Sequence, residues 1–262
     1  MRTLARGGAV LSAAPVTGLP EVASGSDLAG LIVTALSEPD SAPGLTSQDV
    51  LVIAHKVVSK AEGRLRALDE VTPGRRAIRL AAELGKDPRH VQVVLDESRA
   101  VLRASGGVLI CVTHHGFVCA NAGVDASNLP GPDTVLTLPQ DPDDSARALR
   151  RRLQELTGAS PAVLITDSFG RAWRRGQIDV AIGSAGLAPL EDWRGRNDAA
   201  GRELKATWIA IADELAAAAD LARTKDGMQP VVLIRGAGRH VSREDGPGAA
   251  ALLRPEREDL FR

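Results

Sequence analysis

Apolar and polar positions follow two rhythms along this 262-residue chain. Where apolar residues recur every three to four positions, they predict helices over residues 28–36, 75–84, 91–103, 145–157 and 203–221. Asp27 is placed to cap the first of these, and Gly85 and Gly158 stop the second and fourth. Short, almost wholly apolar runs predict buried strands at 49–54, 108–113, 117–120, 162–165 and 231–234. His114, His115 and Gly116 fit the turn of a hairpin between the second and third strands. Residues 16–22, broken by Gly18 and Pro20, read as a turn or extended loop, and the Pro- and Asp-rich stretch 130–144 reads as a connector. No internal repeat is visible. This mixture of helices and strands, with at least one hairpin, predicts an α+β fold over a clean doubly wound sheet.

Composition narrows the classes of partner. A formal net charge of −1 lacks the general electrostatic footprint of a nucleic-acid binder, so any anion selectivity must be local. Aromatic residues make up 2% of the chain and tyrosine is absent, which argues against a stacking platform for single-stranded nucleic acid. Cys111 and Cys119 lack a metal-ligand pattern and read as reduced, buried thiols of a cytoplasmic protein. Residues 1–14 read as a flexible leader whose apolar run is too short and broken for a secretory signal. No later segment is long enough to span a membrane, so a soluble protein with no membrane partner is expected.

Chemistry concentrates where the apolar run 162–165 meets Thr166-Asp167-Ser168, followed by Gly170 and then Arg171, Arg174 and Arg175. A strand end is where open α/β architectures place ligands. A carboxylate beside a hydroxyl suits a hard divalent cation such as magnesium. The arginines offer permanently charged forks to phosphate or carboxylate. The same residues also suit a plain strand-end turn with solvated arginines. Residues 121–128, NAGVDASN, set Asp125 and Asn128 among small residues that let backbone approach a ligand, though an Asx turn explains them equally. Taken together, Asp125 and Asp167 make a cradle for one or two divalent ions. If residues 56–60 are extended, Lys56 and Lys60 point the same way and suit phosphate. Residues 223–230 form a polar loop able to wrap a nucleotide or merely to connect two elements. The chain carries no phosphate-loop, dinucleotide-binding, HExxH or nucleophile-elbow motif.

In this order the segments TGLPEV (17–22), KVVSKAEGR (56–64), NAGVDASN, TDSFGRAWRRG (166–176), DWRGR (192–196) and RPEREDLFR (254–262) closely resemble the coenzyme F420-0:L-glutamate ligase family. That family comprises the archaeal CofE ligases and the N-terminal part of actinobacterial FbiB. The resemblance covers nearly everything after the leader and implies a single ligase domain over 15–262, built as two intertwined subdomains, without the fused nitroreductase-like flavin domain. It implies an α+β fold with mixed and antiparallel sheets and packed helices, assembled as a homodimer. It further implies GTP-dependent addition of L-glutamate, one or more residues, to F420-0. The cofactors implied are two divalent ions, Mg2+ or Mn2+, and K+.

Carried onto matching positions, the resemblance assigns Leu19, Pro20, Glu21 and Val22 to a nucleotide-binding loop and Lys60 to GTP. Asp125 and Asp167 match ligands of one metal, Ser168 a ligand of the second and Asn128 a nucleotide contact. Asp125, Asp167, Arg171, Arg174 and Arg175 become the catalytic candidates. His55, Lys56, Lys225, Asp226 and Gly227 complete the GTP-binding candidates, with His55 replacing the family's small hydroxyl residue and the 223–229 loop lacking its glycine-rich character. The rival readings are a metal-dependent phosphohydrolase and a non-catalytic nucleotide-binding protein.

Overall fold

The computed structural model of the chain describes residues 10–38, 44–127, 129, 131, 133–224 and 226–259. Its elements begin β1 (Ser12–Pro15), α1 (Leu28–Leu36), β2 (Val50–Ala54), α2 (His55–Ala61), β3 (Leu65–Ala67), α3 (Arg75–Leu84) and α4 (Pro88–Asp96). Next come β4 (Ser98–Ser105), β5 (Val108–Thr113), β6 (Val118–Ala120), β7 (Thr134–Leu136) and α5 (Pro142–Thr157). The last are β8 (Ala162–Arg171), β9 (Arg174–Ala185), β10 (Glu191–Asp192), β11 (Trp208–Ile209), α6 (Ile211–Ala222) and β12 (Val231–Arg235). The fold is α+β, as expected.

A mixed sheet runs in the order β1-β12-β2-β8-β9, antiparallel except for the parallel pair β2–β8. Both of its faces are covered, which explains why β2 and the start of β8 are continuous apolar runs. On one face Leu51, Ile53, Val163, Ile165 and Leu233 share a core with Ile32 of α1 and Leu153 of α5. On the other, Val50, Val52, Leu164 and Val232 share one with Ile211, Leu215 and Ala219 of α6. Each large side chain so buried contributes about 1.5–3 kcal/mol, more than helix propensity can, so these faces decide where α1 and α6 sit. The start of α5 approaches β9 so closely that a Cβ on Gly183 would stand 2.2 Å from the Pro142 carbonyl oxygen. A further core lies beside this sheet, where Leu80, Val91 and Val94 of α3 and α4 join Leu109 and Cys111 of the β4-β5-β6 sheet.

The helices at 28–36 and 75–84 and the strand at 108–113 fall where expected, as do the His114–Gly116 turn and the Asp27 cap. Four expectations are corrected. The predicted helix 91–103 is the end of α4 followed by β4, because Gly106 and Gly107 (φ 60° and 77°) make a two-residue turn that pairs β4 with β5. The long helix predicted over 203–221 shrinks to α6, since Trp208 and Ile209 pair instead with Glu191 and Asp192. The connector 130–144 contains β7, whose partner β3 was unassigned, and α5 begins at Pro142 behind the Asp141 cap. Residues 12–14, expected in a flexible leader, pair with β12. Cys111 and Cys119 are buried free thiols, opposite one another across β5 and β6. Among the described residues, no helix is long and apolar enough to cross a membrane.

Candidate active site

The apolar run 162–165 does not end a strand. β8 continues through the acid-hydroxyl pair to Arg171, and what ends is its partner: β2 pairs with β8 only as far as Ala54–Thr166, where α2 begins. Beyond the carboxyl end of β2, therefore, β8 has only β9 beside it, and a cavity of about 710 Å³ opens there. Leu19, Pro20, Glu21, Val22, His55, Lys56, Lys60, Asp125, Asp167, Ser168 and Asp226 all line it. Segments up to two hundred residues apart are thus brought to one place. Asn128 and Lys225 lie outside the described residues.

The lysines share a face for a different reason from the one expected. Residues 55–61 are helical, so Lys56 and Lys60 are one turn apart, i and i+4, although Val57 and Val58 favour a strand. Burial of His55, Val58 and Ser59 under the turn outweighs that local preference. Lys56 Nζ lies 2.7 Å from Asp125 Oδ2 and donates to Ser127 Oγ at 2.6 Å. Lys60 Nζ lies 2.5 Å from Glu21 Oε1, which ties the 19–22 loop to α2.

Asp125 follows a turn in which Asn121 and Ala122 hold left-handed backbone (φ 51° and 52°), an uncommon choice for residues with a Cβ. Its backbone pairs with Leu136, and its Oδ1 accepts the Ser127 amide at 2.6 Å, so the Asx turn is also present. Burial pushes the Asp125 carboxyl up, but Lys56 and the Ser127 donors outweigh it and hold the group below the ordinary carboxylate range.

Alternation along β8 separates the neighbouring pair. Asp167 shares the face of Val163 and Ile165, whereas Thr166 and Ser168 share the face of Leu164. On its side, Asp167 Oδ1 accepts the Ser168 amide at 2.8 Å. Buried His55 brings Nε2 within 3.3 Å of that same oxygen, close enough for an ion pair yet off the line of a hydrogen bond. Cys119 is near enough that the Asp167 charge adds to burial, which leads in pushing its thiol up to about 12.

On the other side stands Asp179, 1% exposed, opposite Ser168 in the β8–β9 register. Its Oδ1 accepts the Ser168 hydroxyl at 2.7 Å and its Oδ2 the Thr166 hydroxyl at 3.0 Å. Arg223 forms an ion pair with the same Oδ2. Arg223 also donates to the Pro230 carbonyl at 3.3 Å, so one side chain spans both ends of the 223–230 loop.

The oxygen donors here, carboxylates of Asp125 and Asp167 with the Ser168 hydroxyl, fit magnesium or manganese. Among the described residues, no three His, Cys, Asp or Glu side chains stand together as a ready-made cation site. Magnesium takes one or two carboxylates plus substrate oxygens in preference to an all-protein cage.

Arg171, Arg174 and Arg175 are not in the cavity wall. They flank the tip of the β8–β9 hairpin, where Arg171 pairs in register with Arg174 and donates to the Arg175 carbonyl at 2.9 Å. Arg171 is three residues past Ser168, roughly 10 Å along a strand. Gly227 sits on the lining loop without lining the cavity itself. Sequence reasoning missed Asp179 and Gln177, both in the wall. The available signal was a lone acid inside the apolar run Ile178-Asp179-Val180-Ala181, with no water to solvate it.

Acids, hydroxyls and lysines gather around one cavity beyond a strand end, and the chain's similarity to known proteins makes it an enzyme of the ligase class. The sequence profile described as F420-0:Gamma-glutamyl ligase matches residues 18–236, and the chain belongs to that family. Among its relatives is the protein named coenzyme F420:L-glutamate ligase of Methanothermobacter thermautotrophicus, 46% identical over 94% of this chain and 97% of the relative. Proteins of the same name from Methanopyrus kandleri (47%, covering 92% and 94%) and Archaeoglobus fulgidus (44%, covering 95% of each) are similarly close.

Proposed function

We propose that this chain joins L-glutamate to F420-0, one or more residues in succession, at the expense of GTP. The observation that carries the reading is the convergence on one cavity, in a member of this family, of the 19–22 loop, Lys56, Lys60, Asp125, Asp167 and Ser168. A carboxylate does not condense with an amine in water unaided. Transfer of the γ-phosphoryl group of GTP to the acceptor carboxylate gives an acyl phosphate and GDP. The glutamate amine then attacks the acyl carbon, phosphate leaves with the former carboxylate oxygen, and the amide remains.

Such transfer depends on positioning and charge neutralisation more than on covalent help from the protein. Lys60, steadied by Glu21, and Lys56 sit one helical turn apart to meet phosphate oxygens. Asp125, Asp167 and Ser168 would hold the divalent ions, Mg2+ or Mn2+, whose chemistry is to neutralise the transferring phosphoryl group. Asp167 and Ser168 lie on opposite faces of β8, which supports two positions over one, Asp125 with Asp167 serving one and Ser168 the other. Arg171, Arg174 and Arg175, on a projecting hairpin, suit the carboxylates of acceptor and glutamate. A K+ ion and a homodimer belong to the same reading.

Phosphate release separates this from a phosphohydrolase. The expected outcome is release of phosphate from GTP only when both F420-0 and glutamate are present. Rapid release from GTP alone would overturn it.

A further inference from the structure

The Ser168 hydroxyl carries one proton, and the structure accounts for it: Ser168 Oγ donates to Asp179 Oδ1 at 2.7 Å. A hydroxyl whose O–H is committed to a hydrogen bond with a carboxylate meets every other group through lone pairs. Such an oxygen can coordinate a cation or accept a hydrogen bond, but it cannot donate one. Asp179 is buried, touches Ser168 from the adjacent strand in register, and is held from behind by Thr166 and Arg223. Its orientation is therefore over-determined by two strands and the residue that opens the 223–230 loop.

We propose that Asp179 is a positioning residue of the cation site: it turns the Ser168 lone pairs to the cavity, and Arg223 holds its carboxylate in place. The proposal rests on the reading of Ser168 as a cation ligand. Partners behind the ligands of this kind change metal affinity by about 10–100-fold when removed. An amide at position 179 keeps the shape but has a single acceptor oxygen, which the Arg223 donor claims, so Ser168 meets an N–H and its hydroxyl proton turns toward the cavity.

The test is Mn2+ titration of the full chain in the presence of GDP, with free Mn2+ followed by its electron paramagnetic resonance signal. Asp179→Asn and Ser168→Ala should each weaken the binding of one Mn2+ by about 10–100-fold. The double variant should bind no worse than Ser168→Ala alone, because Asp179 acts through Ser168. Asp179→Glu keeps a carboxylate opposite Arg223 and should recover most of the affinity that Asn loses. Should Asp179→Asn not fold, the same cycle is run with Asp179→Glu, whose smaller loss must vanish in the Ser168→Ala background. Wild-type affinity in Asp179→Asn, or losses that multiply in the double variant, would overturn the proposal. So would a parent chain that binds no Mn2+ with GDP. Because Mn2+ binding is read directly, the outcome is separate from whether GTP drives glutamate addition.

Discussion

Two charged cavities lie at different edges of the molecule, and they use their charges differently. A cavity of about 840 Å³ is bordered by Arg150, Arg151, Arg243, Glu244 and Asp245. Arg150, 4% exposed, spends its donors on the carbonyls of Pro161, Ser160, Arg243 and Ser242 and on the Asp245 carboxylate. It stitches α5 to the segment after β12. In the cavity of about 710 Å³, by contrast, charged groups meet as pairs across segments: Lys56 with Asp125 and Lys60 with Glu21. An arginine committed to backbone carbonyls holds a fold together, whereas lysines poised on carboxylates can exchange those partners for the charges of a substrate.

That contrast is broken most sharply by two substitutions with opposite signatures. Asp167→Asn should lower kcat for glutamate addition about a thousandfold while leaving thermal stability unchanged, as steady-state kinetics and a melting curve would reveal. Arg150→Met should do the reverse. Loss of its buried and part-buried hydrogen bonds to the carbonyls costs about 3 kcal/mol, seen as a Tm lower by roughly 6–12 °C, with activity per folded molecule retained. A smaller effect is expected of Lys60→Ala, which should raise KM for GTP about 10–100-fold through loss of a charge-assisted contact. If Lys60→Ala instead destabilised the fold and spared KM, the two cavities would not differ in kind.

How much of this was legible in the chain depends on the range of the forces involved. The strand at 108–113, the Asp27 cap and the helix stop at Gly85 are local events, written in a few consecutive residues. Asp125, Asp167, Ser168 and Lys60 were legible as residue types in family-specific strings, and the fold gathers them at one cavity. What escaped was set by partners distant in sequence. Whether β8 stops at Ile165 or runs to Arg171 depends on β9, and whether residues 55–61 are helix or strand depends on what buries them. Trp208 pairs across the chain with Asp192, so its helical pattern misled. The Gly106-Gly107 pair was a local signal left unused.

The smallest effect concerns the thiols behind Asp167. Burial pushes both Cys111 and Cys119 above the ordinary thiol value of 9.0, Cys119 to about 12. Between 9.0 and about 12 the unfolded chain has lost a Cys119 proton that the native chain keeps, so stability falls as pH rises above about 9. Alkylation at pH 8 should accordingly be slow in the native protein and fast in denaturant. Equal rates in both states would show that the core beneath the site is open.

The central claim is that the cavity beyond β2 forms an amide bond to glutamate. Mass spectrometry of F420-0 incubated with the protein, GTP, L-glutamate and Mg2+ or Mn2+ tests it directly. The prediction is a product heavier by one or more glutamate residues, absent when GTP is omitted. An unchanged F420-0 mass, with the protein folded and GTP present, would contradict it.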